Sequence, residues 1–148
     1  AAFTLAAVCR RWRELSLESP RLWCDVQFNT SKARRGILSQ YISLMLSRSN
    51  DLSLNVVTHC GEPEGSVCER SYTTFSKLVP RVRKLHVDLV AVGTPQSTSY
   101  SVLGGLLHST PRLEICSIYC EHNDWDLVEI DEADYFLPDA PILRSLDV

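Results

Sequence analysis

"PRVRKLHV", residues 80–87, decides the fold because the chain carries the same pattern more than once. "PRLEICSI" stands at 111–118 and "PILRSLDV" at 141–148. Each reads proline, any residue, an aliphatic, two variable residues, an apolar residue, a variable one, then Val or Ile. The prolines lie 31 and 30 residues apart. A copy without proline, "LSLNV" at 52–56, puts Leu54 31 residues ahead of Leu85. A near-constant period in this range marks stacked supersecondary units, each burying its apolar face only against its neighbours.

Every copy ends in apolar/polar alternation, the period of a half-buried strand. The residues between copies have helical spacing: Tyr72, Phe75 and Val79 before the second copy, and Val102, Leu103, Leu106 and Leu107 before Pro111. Strand, loop, helix and loop in about 30 residues predict an α/β chain built as a leucine-rich-repeat-like solenoid. Its parallel strands would line one face and its helices the other. Alternation then turns Leu85 and Val87 inward, and Lys84, His86 and Asp88 outward. Applied to all copies, that register gives an outward row of Asn55, His86, Ser117 and Asp147. Ser53, Lys84, Ile115 and Ser145 flank it on one side, and Val57, Asp88 and Tyr119 on the other. Faces of this kind commonly bind partners, which makes Asn55, Lys84, His86, Asp88, Ser117, Tyr119 and Asp147 the candidate target-binding residues.

Upstream of the copies, "KARRGILSQYISLMLSRS" at 32–49 predicts a helix capped by Ser31, with Leu38, Ile42, Met45 and Ser49 in one stripe and Gly36 weakening its first turn. "LAAVCRRWREL" at 5–15 predicts another. Leu5, Val8, Trp12 and Leu15, separated by 3, 4 and 3, share one face, and Arg10, Arg11, Arg13 and Glu14 the other. In "SLESPRLWCDVQF", at 16–28, Ser19 caps a short helix with Pro20 at its first position. Leu22 and Trp23 anchor it, and Val26 and Phe28 alternate as a short strand. The chain divides into 1–28, a helical segment with a junction strand, and 29–148, the repeat region.

Composition limits the function classes. The chain has 148 residues, 45% of them hydrophobic, and a net charge of −3, which argues against a general nucleic-acid binder. The charge is uneven: seven of fifteen basic residues fall between Arg10 and Arg35, and eight of eighteen acidic ones between Glu121 and Asp139. That acidic stretch also carries Trp125, Tyr135 and Phe136 and has the makings of a lip for a basic partner. No run approaches the ~18 apolar residues of a membrane span, and no signal peptide opens the chain, so the expected location is cytoplasmic or nuclear, or both. In that compartment six cysteines do not call for disulfides. Cys9, Cys24 and Cys116 read as small core residues.

Catalytic and metal motifs are missing. There is no G-x-S-x-G, no phosphate-cradling glycine loop and no H-E-x-x-H. Cys116, Cys120 and His122 offer three soft ligands, but the repeat register needs Cys116 in the core. "DWDLVEIDEAD" puts Glu129 where a calcium loop requires glycine. The expectation is a non-catalytic protein with no cofactor and no metal.

"LAAVCRRWRELSLESPRLW", residues 5–23, resembles the second half of an F-box. That family shows an aliphatic-rich helix, the run V-C-[RK]-x-W, and a closing P-x-L-W turn, matched here by Val8, Cys9, Arg10, Trp12, Pro20, Leu22 and Trp23. An F-box followed by leucine-rich-like repeats resembles the F-box/repeat proteins of mushroom-forming fungi. The resemblance implies the substrate-recognition subunit of a Skp–cullin–F-box ubiquitin ligase. Its F-box would dock to the Skp adaptor, and its repeats would hold a protein target. Leu5, Val8, Cys9 and Trp12 would be the adaptor-binding residues, and Trp23 would lock the F-box onto the repeat region. The family's first F-box helix, a leucine-proline followed by a run such as LLxxIFxYL, is not found before Ala1, and Val148 falls on a strand. The expectation is therefore a fragment lacking the first half of the F-box and truncated within its repeats. The alternative is a repeat-based scaffold whose F-box-like helices only cap the solenoid.

Overall fold

A computed structural model describes residues 2–29, 36–60, 75–89, 109–120 and 140–147. Its elements run α1 (Ala2–Val8), α2 (Arg10–Leu17), a 3-10 turn (Pro20–Trp23), β1 (Asp25–Asn29), α3 (Ile37–Arg48), β2 (Leu54–Cys60), a second 3-10 turn (Val79–Arg81), β3 (Val82–Leu89), β4 (Ile115–Cys120) and β5 (Ser145–Asp147). The five strands form one parallel sheet in chain order, β1-β2-β3-β4-β5. The chain is thus mixed α/β.

The sheet register shows how regular the spacing is. Val26 pairs with Val56, Val56 with Leu85, Leu85 with Cys116 and Cys116 with Leu146, so consecutive partners are 30, 29, 31 and 30 residues apart. The Val26, Val56, Leu85 and Cys116 side chains of that row are all at most 2% exposed. The inward positions of the next row, Phe28, Thr58, Val87 and Ile118, are buried too. Burying one such aliphatic side chain contributes about 1.5–3 kcal/mol, so alternation fixes which face of every strand looks inward. The sheet includes β1, which the sequence pattern sets outside the repeat copies as a junction strand.

One register differs from expectation. Equal spacing aligns Leu54 with Leu85, but Leu85 pairs with Val56. An irregularity at the start of β3 changes the offset by one residue without restoring equal spacing. Leu54 faces Val82 and Asn55 faces Lys84, so Arg83 is an extra residue opposite the Leu54–Asn55 step. From there on β2 sits two residues away from the period-based alignment.

The long helix also starts later than expected. α3 begins at Ile37, and Gly36 stands before it with φ +84, a left-handed conformation that glycine adopts without a Cβ clash. Ser31, the expected cap, lies outside the described residues. Ile42, Met45 and Ser49 are buried as the stripe predicted, and Leu38 is half-buried. The helix ends where Ser49 donates its hydroxyl to the Met45 carbonyl at 2.7 Å and Asn50 turns to φ +50.

At the N-terminus the expected single helix is two. Cys9 is extended (φ −158, ψ 173) and its carbonyl accepts the first bond of α2, from the Arg13 N–H at 3.0 Å. A straight helix would hold Phe3 and Leu17 roughly 20 Å apart. The break lets α1 lay Phe3 against Trp23 (ring centroids 5.3 Å, edge-on) and Tyr41 (5.9 Å, stacked), while Ser16 is buried and Leu17 packs against the same core. Arg13 spans the break, its Nε donating to the Ala6 carbonyl at 2.9 Å. Two smaller expectations also change: Cys9 is exposed rather than in the core, and Ser19 makes no side-chain cap for the Pro20 turn. Cys116 is buried and Cys24 half-buried. The expected helices at 102–107 and around Tyr72 lie outside the described residues, although Phe75 and Val79 are buried.

The prolines matter through the residues after them. Pro80 and Pro111 each precede an arginine that reaches back toward the end of α3. Arg81 donates to the Leu46 carbonyl (3.1 Å), the Leu52 carbonyl (2.8 Å) and Ser49 Oγ (2.7 Å). Arg112 donates to the Asp51 carbonyl at 2.7 Å and pairs with its carboxylate at 3.0 Å. Carbonyls at and just beyond the end of a helix thus gain donors from the approach turns of later strands.

Candidate functional site

The outward face of the sheet holds the candidate target-binding residues, in rows that the register sets. Asn55, Lys84, Ile115 and Ser145 form one row. Val57, His86, Ser117 and Asp147 form the next, and His59, Asp88 and Tyr119 a third. Asn55 therefore neighbours Lys84, not His86 as equal spacing would place it. Ser53 falls ahead of the strand altogether.

Asp88 is the best-connected group on this face. Its Oδ2 lies 2.6 Å from His59 Nδ1 and its Oδ1 2.9 Å from His86 Nε2, so one carboxylate orients imidazoles from two strands. His86 and Asp88 were expected on the face. His59 was not, because the copy "LSLNV" ends at Val56. Carrying the alternation one more period, through Val57 to His59, is the signal that finds it.

The other carboxylates are also held. Asp147 Oδ2 accepts from Ser117 Oγ at 3.5 Å and from Ser145 Oγ at 3.4 Å, and Asp25 Oδ1 accepts from Asn55 Nδ2 at 2.7 Å. The Ser117 hydroxyl is thus turned toward β5 and its Asp147. Lys84 makes no ion pair among the described residues, and Tyr119 presents a ring that is 60% exposed. The arrangement is a polar, pre-oriented surface with an aromatic ring and a lysine cation, able to offer hydrogen bonds to a broad partner. Among the described residues no group of three or more His, Cys, Asp or Glu side chains is placed to hold a metal ion.

The expected adaptor-binding residues sit elsewhere. Leu5 and Val8 are on α1, Cys9 at the break and Trp12 on α2. Val8 is 62% exposed, Trp12 49% and the neighbouring Leu15 54%, whereas Leu5 is half-buried. The break replaces the expected single stripe with two short apolar surfaces on helices that pack together. Trp23, by contrast, is 2% exposed, and its Nε1–H donates to the Ser16 carbonyl at 2.7 Å. It joins the end of α2 to the core that contains Val26 and Ile42.

A parallel α/β sheet with a polar outward face and an exposed apolar helical end is the class these observations define. No family model, curated protein or solved structure matches the chain. Among the described residues no helix is long and apolar enough to cross a membrane.

Proposed function

We propose that the chain is the non-catalytic substrate-recognition part of a Skp–cullin–F-box ubiquitin ligase, an F-box protein of the leucine-rich-repeat-like fungal type. In this reading α1 and α2 dock to the Skp adaptor, and the strands belong to a solenoid of ~30-residue repeats whose outward face holds a protein target. The receptor breaks no bond itself; it raises the target's effective concentration beside a ubiquitin-charged enzyme. The observation that carries the reading is the exposure of Val8, Trp12 and Leu15. Large apolar side chains kept out of the core on two packed helices are what a docking surface requires.

A second reading, a repeat-based scaffold whose F-box-like helices only cap the solenoid, has its own support. Phe3 meets Trp23 edge-on and stacks on Tyr41, so α1 closes over the β1 end of the sheet. The two readings diverge at Trp12. A pull-down of the full-length protein against purified Skp adaptor is expected to succeed, and Trp12→Ala to weaken it while shifting unfolding stability by no more than about 0.5 kcal/mol, as for an exposed position. Failure of the folded wild-type protein to bind would overturn the ligase reading and leave the scaffold.

A further inference from the structure

At the β1 edge of the outward face, beneath α1, lies a cleft of about 510 Å³ that neither helix docking nor the histidine–aspartate cluster uses. Phe3 and Tyr41 give it two aromatic walls, stacked at 5.9 Å. Asp25, Gln27, Asn55 and Val57 line it from β1 and β2. The polar groups here are unevenly satisfied. Asp25 Oδ1 accepts from Asn55 Nδ2, but Oδ2 has no partner among the described residues. The Tyr41 oxygen accepts the Gln27 backbone N–H at 3.4 Å, which leaves its own proton to donate. Burial pushes the Tyr41 phenol up from its ordinary value, so that proton stays in place at neutral pH.

A carboxylate with an open oxygen in a cleft lined by two aromatic rings is complementary to a cation on an apolar stem. The charge meets the carboxylate and the rings' π-systems at the cleft wall, and the stem meets Phe3 and Val57. We infer that this cleft takes an arginine or lysine side chain from a basic segment of the protein target. The inference rests on the outward face being the target-holding surface and names the chemistry of what it holds. A planar guanidinium is the better match, since it stacks on rings and bonds a carboxylate at once.

The test is a heteronuclear NMR titration of the full chain with the blocked peptide Gly-Ala-Arg-Ala-Gly, carried to millimolar concentration. Expected are saturable shifts centred on Phe3, Gln27, Tyr41 and Asn55, weakened about tenfold when citrulline, the neutral isostere, replaces arginine. Asp25→Asn is expected to produce the same loss while leaving the rest of the spectrum superimposable, because the side chain is exposed. No shifts, shifts elsewhere, or shifts that survive both citrulline and Asp25→Asn would each overturn the inference. The titration needs no adaptor, so its failure is separable from that of the ligase reading. Adaptor binding without peptide binding removes the cleft alone, and peptide binding without adaptor binding removes the ligase alone.

Discussion

Two buried residues translate directly into measurements. Thr110 is 1% exposed and its Oγ1 has no hydrogen-bond partner among the described residues, while its carbonyl serves the turn by accepting the Leu113 N–H at 3.1 Å. An unsatisfied buried hydroxyl costs about 1–3 kcal/mol of desolvation. Thr110→Val keeps the shape and the backbone bond, and is expected to raise stability by about 1 kcal/mol in urea unfolding. Cys116 has a different signature. Burial pushes its thiol up to about 11, against 9.0 for the free group. The unfolded chain loses that proton first, so the contribution of Cys116 is whole below about pH 9 and falls away as pH rises toward 11. At pH 8, peptide mapping after alkylation should find the exposed Cys9 modified in the native protein and Cys116 modified only after unfolding.

At the scale of elements, the approach turns hold the most concentrated interactions. Arg81 supplies donors to two carbonyls and a hydroxyl around the end of α3, and desolvation lowers its pKa from the ordinary guanidinium value. Arg81→Met would fill similar volume but leave those acceptors short, at an expected cost of about 2–3 kcal/mol in denaturant unfolding. A loss below about 0.5 kcal/mol would mean that water replaces the guanidinium freely. These turns were legible to a degree. Pro80, Pro111 and Pro141 announced β3, β4 and β5, because a proline ahead of an alternating run leaves few other structures open. "PRLW" at 20–23 is the same device ahead of β1, but one extra residue separates Pro20 from Val26, and a strict period passes over it. The β2 register was hidden because a slip of two residues, Val56 instead of Leu54 opposite Leu85, keeps the same side chains inward and leaves the alternation intact. The break at Cys9 has no proline or glycine to mark it. It lets Phe3 reach the Trp23 and Tyr41 rings while Leu17 packs against the core, a tertiary demand that local spacing does not encode. Of the candidate site, His86, Asp88, Ser117 and Tyr119 followed from alternation alone. His59 and Asp25 needed the true register and the true extent of the sheet.

Across the whole molecule, Arg112 and Asp51 form a contact between residues 61 apart in sequence, tying the turn before β4 to the end of α3. The Arg112 hydrogen bond and charge hold the Asp51 carboxyl below its ordinary 3.8. The pair's contribution is therefore complete above about pH 3.8 and lost as pH falls through the lower folded-state value. Unfolding midpoints followed from pH 5 downward should fall less steeply for Asp51→Asn than for wild type, and added salt should narrow the difference because the carboxylate is exposed. The strand order carries a mechanical consequence as well. With β1 at one edge of the sheet and β5 at the other, a pull on the two outer strands runs across the ladder rather than along it. The hydrogen-bonded pairs are loaded in series and separate singly, in succession. Under tension across it the sheet behaves as a zipper, parting strand by strand.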